Sequence, residues 1–315
     1  MKVDIHSHFY TREYVETIRR FDSVKGSKVT GLNFAFWTSD EERIVRMERV
    51  GVDMEVLSLS APNVYFADSS LSMELAMMTN DFTSELSRRY PNRFAGIASV
   101  PMLKMEDTLK ELHRAIDTLS LKGVVVGTNI NGKRPDAPEF EPFFAEIERL
   151  GKPIFIHPMP LTDSSYSIDE YKLAAILHLP FETTVCVTRM IYAGIFERYP
   201  KLTLILPHLG GTIPFLFTRI DLGHKSYKEC REKITKQPSE YLKNFYYDTA
   251  VSYGRPTLLC TADLFGMDHI VFGTDYPFQR DAGDTVAAIE LLDIEPHVKN
   301  KIFSKNAMEI FKLKG

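Results

Sequence analysis

At 315 residues and 44% hydrophobic content, the chain has enough apolar mass for a large core, and α/β barrels commonly take about 250 residues. A formal net charge of −4 gives no electrostatic reason to expect a nucleic acid or a membrane surface as partner. Cys186, Cys230 and Cys260 form no Cys-x-x-Cys pair and no apolar run approaches the ~18 residues of a membrane span, so a reduced, cytoplasmic enzyme or binding protein is expected.

Taken in chain order, eight apolar, β-branched runs read as strands over residues 2–6, 54–59, 94–100, 123–127, 153–157, 202–207, 245–248 and 270–273. Apolar residues at three- and four-residue spacing predict helices between them, among them 41–50, 71–90, 105–119, 140–150 and 213–234. Arg49-Val50-Gly51, Tyr90-Pro91-Asn92 and Leu150-Gly151-Lys152 mark changes of element. Strict alternation of strand and helix, eight times over, predicts a (β/α)8 TIM barrel, with residues 1–315 as a single domain. One segment departs from the plain barrel, a long connection over 11–39 that carries Asn33-Phe34-Ala35-Phe36-Trp37. Long connections inside a compact domain are usually functional. Phe36 and Trp37 are therefore expected to form a lid or wall of a substrate pocket, unless they pack on the barrel rim or a neighbouring subunit.

Barrel active sites lie at the C-terminal ends of the strands. His6-Ser7-His8 ends the first run, Ile154-Phe155-Ile156-His157 the fifth and Phe272-Gly273-Thr274-Asp275 the eighth. Side chains two apart on a strand share a face, so His6 and His8 aim together. With His157 and Asp275 they make an N/N/N/O set, typical of a catalytic divalent metal, zinc first and manganese as the alternative. His208, in Leu206-Pro207-His208-Leu209-Gly210-Gly211, is a further ligand or a base beside the metal, and the base is the better reading. Barrel enzymes with two metal ions bridge them with a carbamylated lysine after the fourth strand. Here that strand runs out through Gly127-Thr128-Asn129, so one ion is expected.

At these residues the chain resembles the amidohydrolase superfamily and, more narrowly, the aminocarboxymuconate-semialdehyde decarboxylase family. The resemblance rests on Asp4-Ile5-His6-Ser7-His8-Phe9, Gly51-Val52-Asp53, Asn80-Asp81-Phe82, Pro91-Asn92-Arg93-Phe94 and His157-Pro158. It continues through Pro180-Phe181-Glu182-Thr183-Thr184, Gly194-Ile195-Phe196-Glu197-Arg198, His208-Leu209-Gly210-Gly211, Arg219-Ile220-Asp221, Tyr247-Asp248-Thr249-Ala250 and Gly273-Thr274-Asp275-Tyr276-Pro277-Phe278. It implies a metal-dependent, non-oxidative decarboxylase, dimeric or built from dimers, with His6, His8, His157 and Asp275 as ligands and His208 as the catalytic histidine. Arg219 matches an arginine that, in the family, reaches into the partner subunit's site to hold a substrate carboxylate.

One departure narrows the substrate. The family's namesake carries a second substrate-binding arginine just after an Asn-Phe pair, whereas Asn33-Phe34 is followed here by Ala35. A two-carboxylate muconate is thereby disfavoured against an aromatic mono-acid lying on Phe36 and Trp37. The Pro180–Thr184 and His208–Pro214 strings also resemble the methylsalicylate decarboxylase branch. Loss of carbon dioxide needs an electron sink, which a divalent metal supplies, and a proton, expected from Asp275 or His208. The alternative is a metal-dependent hydrolase of an amide, ester or lactone with the same ligands. No Gly-x-Gly-x-x-Gly follows a strand, so no nicotinamide or flavin is expected.

Overall fold

The computed structural model describes residues 1–25, 37, 39–160, 170–279 and 282–313. Its strands are β1 (Val3–His8), β2 (Met54–Ser58), β3 (Phe94–Gly96 and Ala98–Ser99, interrupted at Ile97), β4 (Val124–Gly127), β5 (Ile154–His157), β6 (Leu204–Leu206), β7 (Tyr246–Asp248) and β8 (Ile270–Val271). Every strand pairs in parallel with the next in sequence. Within β3 the ladder passes from one neighbour to the other: Ile97 N donates to Leu57 O at 3.0 Å, and Ala98 N to Gly123 O at 2.8 Å. The last strand lies against the first, with Ile5 N donating to Phe272 O at 3.0 Å and Ser7 bridging Tyr276 in parallel. This is the expected (β/α)8 arrangement. The strands read as continuous apolar runs because helices cover their outer face and packed side chains fill the inner one.

Val3, Ile5, Val56, Val125, Phe155 and Val271 pack together inside the barrel, and Ala307, Ile310 and Phe311 of the last helix (Asn306–Phe311) join them beside Val3 and Met54 at the strand starts. That inner packing raises a question of parity. If Val3 and Ile5 face inward, an unbroken pleat would turn His6 and His8 outward. One extra residue on β1 reverses the sense: Asp4 pairs with Glu55, but Ser7 pairs with Leu57, three residues on β1 against two on β2. The bulge re-aims the two histidines into the barrel, where the His6 ring lies 4.9 Å from that of Phe155. The alternation argument thus found the correct pair, and the bulge is what makes it true.

Three local expectations are corrected. The connection over 11–39 contains a helix, Arg12–Lys25, with Tyr14, Val15 and Ile18 buried between exposed Glu13, Glu16 and Arg19. That is helical spacing, and it lay inside the segment read as a connection. Residues 26–36 and 38 lie outside the described residues, Phe36 among them. The helix expected over 213–234 ends at Ser226, where Tyr227 is extended (φ −115°, ψ 130°) and a polar, exposed stretch with a short 3-10 turn follows. The helix expected over 105–119 is α-helical to His113 and then widens to a π-turn over Arg114–Thr118.

Candidate active site

His6, His8, His157 and Asp275 come together where β1, β5 and β8 end, and their ligand atoms all lie within 4.8 Å of one another. His6 Nδ1 is 2.8 Å from Asp248 Oδ2, and His8 Nδ1 is 3.0 Å from Ser58 Oγ and 3.2 Å from its carbonyl oxygen. These contacts fix both rings and leave both Nε2 atoms facing Asp275 Oδ1, at 3.2 and 3.3 Å. Neither Nε2 completes a hydrogen bond there, and His157 Nδ1 is likewise buried without a partner. Buried polar atoms normally find one. Three orphaned imidazole nitrogens around one carboxylate fit a divalent cation, with the Asp248–His6 pair as the carboxylate that orients a ligating histidine.

The electrostatics agree. Burial opposes charge on His6, but Asp248 and Asp275 outweigh it and push its pKa up to about 10. Burial, with the imidazoles of His8 and His6, holds His157 well below the ordinary histidine value. Burial would raise Asp275, yet His6 and His208 keep its carboxyl well below the usual range. The pocket therefore sets an ionised Asp275 among buried imidazoles, an environment that suits a bound cation. Among the described residues this is the group of His, Cys, Asp and Glu side chains placed to hold an ion.

His208 stands beside this group, not within it. Its Nε2 is 3.6 Å from Asp275 Oδ2, its ring is 5.2 Å from that of His6, and its backbone N donates to Asp248 Oδ1 at 2.9 Å. His208 and Asp275 both have left-handed backbone, φ 55° and 65°, a conformation that costs on the order of 1–3 kcal/mol for a residue with a side chain and clusters at functional sites. Two glycines make room for it. A Cβ on Gly211 would sit 2.3 Å from the Pro180 carbonyl oxygen, and one on Gly273 would sit 2.8 Å from His6 Cβ.

The residues expected to touch substrate, Trp37 and Arg219, have these surroundings. Trp37 packs its ring against Phe82 and Phe94, 5.4 and 5.7 Å between centroids, and donates from Nε1 to Asp40 at 3.0 Å. Phe94 belongs to the main buried apolar cluster, and the Trp37 indole packs against that cluster. Arg219 is exposed on the helix Ile213–Ser226, with no ion pair among the described residues of its own chain. Asp248 is the functional residue that sequence reasoning passed over. It ends β7, so the strand-end argument that found the other site residues would have found it too. Phe278 lies at the same mouth, its ring 5.8 Å from that of His8 and 6.4 Å from that of Tyr10.

A buried His/His/His/Asp group at the C-terminal mouth of a parallel barrel defines a metal-site barrel enzyme. The chain belongs to the amidohydrolase family, whose model matches residues 3–313. A 2-amino-3-carboxymuconate-6-semialdehyde decarboxylase of Dictyostelium discoideum is 29% identical, across 99% of this chain and 92% of its own. A 6-methylsalicylic acid decarboxylase of Penicillium expansum is 27% identical, across 100% and 97%. Among solved structures, the 5-carboxyvanillate decarboxylase of Sphingomonas paucimobilis superposes with a TM-score of 0.89 at 28% identity, across 99% of each chain. A dihydroxybenzoic acid decarboxylase of Polaromonas sp. JS666, solved with manganese and the inhibitor 2-nitroresorcinol, superposes with a TM-score of 0.86 at 27% identity, across 99% and 97%. The expected family, fold and carboxy-lyase class are borne out. Among the described residues no helix is long and apolar enough to cross a membrane.

Proposed function

We propose that this chain is a metal-dependent, non-oxidative decarboxylase of a small aromatic carboxylic acid of the hydroxybenzoate or salicylate type. The observation that carries the reading is the convergence of His6, His8, His157 and Asp275 beside His208, in a chain whose named relatives are decarboxylases. His6, His8, His157 and Asp275 would hold a divalent ion, which would supply Lewis-acid stabilisation of the charge that develops in decarboxylation. The donor set points to zinc first, while the manganese in the Polaromonas structure supports manganese.

The chain's own part is proton handling. When carbon dioxide leaves, the ring carbon keeps the electron pair and must take up one proton. Asp275 Oδ2 and His208 Nε2, 3.6 Å apart, share that task, one delivering the proton and the other replenishing it. Asp248 ties the exchange to the ligand group, since one of its oxygens faces His6 and the other accepts from the His208 backbone. The Phe278 ring beside His8, and Ala35 where the family's namesake has arginine, support an aromatic mono-acid over a muconate. The same ligands could serve hydrolysis of an amide, ester or lactone, and the product separates the two. A screen of hydroxybenzoates and muconates, with Mn2+ or Zn2+ added back, should give carbon dioxide from a hydroxybenzoate. A ring-opened or cleaved acid without carbon dioxide would overturn the reading.

Elemental analysis should find one divalent ion per chain, since His6, His8, His157 and Asp275 form a single group and Gly127-Thr128-Asn129 offers no bridging lysine. Chelation should lower the melting temperature, because an ion at a thousandfold its Kd adds about 4 kcal/mol to the native state. Affinity should fall as pH falls, since ligating imidazoles must shed their protons. Two ions per chain, or a melting temperature indifferent to chelator, would count against the site.

The working unit is a dimer in which Arg219 completes the partner's pocket. Phe215, Arg219 and Leu222 lie along one stripe of the helix Ile213–Ser226 at i, i+4 and i+7, with Phe215 89% and Leu222 56% exposed. Phe181 and Val185 on the adjoining helix Leu179–Tyr192 are exposed as well. An apolar stripe around an unpaired arginine supports burial against a second copy. Coexpressed Arg219→Ala and His208→Ala chains should recover activity that neither homodimer has, because the mixed dimer keeps one intact site. No recovery in a mixed dimer of confirmed composition would refute the arrangement. The three cysteines are free, in keeping with a reducing, cytoplasmic location.

A further inference from the structure

On the outer face of the barrel, directly behind the candidate metal ligands, lies a charged group that the reaction does not use. Glu55 on β2 is fully buried, and two arginines of the helix Asp40–Val50 meet it: Arg43 Nε at 2.7 Å on one oxygen and Arg46 Nη1 at 2.7 Å on the other. One arginine would neutralise Glu55. The second brings a further buried charge that also feels the buried carboxylate of Asp4, and its Nε and Nη2 have no hydrogen-bond partner. Such an arrangement is costly unless those groups face something else. They face the ring of Tyr276, whose centroid is 3.7 Å from Arg46 Cζ and 4.1 Å from Arg43 Cζ. Arg43 also donates to Ser7 Oγ at 2.6 Å, and the Trp37 ring lies 5.1 Å from its Cζ.

Tyr276 is the residue after Asp275. Its carbonyl accepts from His8 N at 2.7 Å, while Asp275 N donates to His6 O at 2.8 Å. Asp275 holds its left-handed backbone between these two anchors, and Asp4 fastens the preceding residue by accepting from Thr274 N at 3.0 Å; on the other side, the chain is gripped through the Tyr276 ring. We propose that Arg43 and Arg46, seated on Glu55, are positioning residues that fix the Asp275 carboxylate between His6 and His8 through the ring of Tyr276. The inference rests on the metal-site reading above and adds the device that sets one ligand's geometry.

The test compares Tyr276→Leu with Tyr276→Phe, and Arg46→Met with Arg46→Lys. The probe is Mn2+ alone, titrated into metal-stripped full-length protein and followed by the electron paramagnetic resonance signal of the free ion, below each variant's melting temperature. Removing the ring or the guanidinium should weaken Mn2+ binding roughly tenfold, as loss of a desolvated cation–π contact would. Tyr276→Phe should bind close to wild type because the ring face remains, and Arg46→Lys should recover part of the loss. In loaded protein, kcat should fall with affinity in Tyr276→Leu and Arg46→Met while KM stays near wild type. Mn2+ affinity and kcat unchanged in Tyr276→Leu, whatever its melting temperature, would overturn the proposal. If Tyr276→Leu does not fold, unchanged affinity in Arg46→Met does so instead. Wild-type protein that takes up no divalent ion would overturn the metal site as well, so the two failures are distinguishable.

Discussion

Replacing Asp275 by Asn is expected to remove both ion binding and turnover. Asp275 is the one anionic member of the ligand group, 3.2 and 3.3 Å from the Nε2 atoms of His6 and His8, and it is held ionised by His6 and His208. An amide there loses the charge that balances the ion, so affinity should drop by more than the roughly 10–100-fold that loss of an outer hydrogen-bonding partner costs. It also loses the proton-exchanging oxygen, so turnover should fall by on the order of 10³-fold even at saturating metal. Metal titration and carbon dioxide release together check this. An Asp275→Asn protein that binds its ion normally and decarboxylates at more than a tenth of the wild-type rate would refute both assigned roles.

Replacing His208 by Ala should separate the two effects. His208 lies outside the ligand group and touches it only across the 3.6 Å gap to Asp275 Oδ2, while its place in the fold is held by its backbone N on Asp248. Alanine keeps that backbone bond. Ion content should therefore remain near wild type, and turnover should fall by on the order of 10²-fold or more, the usual share of a positioned acid or base. Exchange of solvent deuterium into the product ring should slow with turnover, since proton delivery is the step removed. Full activity in metal-loaded His208→Ala would sink the mechanism. A metal-free His208→Ala protein would instead move His208 into the ligand set.

The contrast between these variants reflects what local sequence can carry. His157 and Asp275 were legible because an apolar run that stops at a polar residue marks a strand end, and barrel strand ends face the active site. Asp248 was equally legible at the end of β7, but a lone carboxylate with no metal-ligand neighbours in sequence gave it no role. The helix Arg12–Lys25 was hidden by the aromatic string after it, which drew the whole of 11–39 into one reading. An aromatic residue in a connection reads as a pocket wall, and only the tertiary structure shows that the Trp37 ring packs on Phe82 and Phe94.

From sequence alone came the eight strand–helix units, the rim on which the site lies, and the four residues His6, His8, His157 and Asp275 that converge there, because hydrophobic period and strand ends are properties of short segments. Tertiary structure alone decided the rest. The bulge that turns His6 and His8 inward is a mismatch of register between β1 and β2, visible only when both strands are paired. The left-handed backbone of Asp275 is held by a bond from its N to His6 O, at the other end of the chain, and that of His208 by a bond to Asp248 on the next strand, and no propensity predicts either. The stack of Arg43 and Arg46 on Tyr276 joins a helix after the first strand to the loop after the last. Its members look like surface charges on an amphipathic helix until the barrel brings its last strand beside its first and buries them.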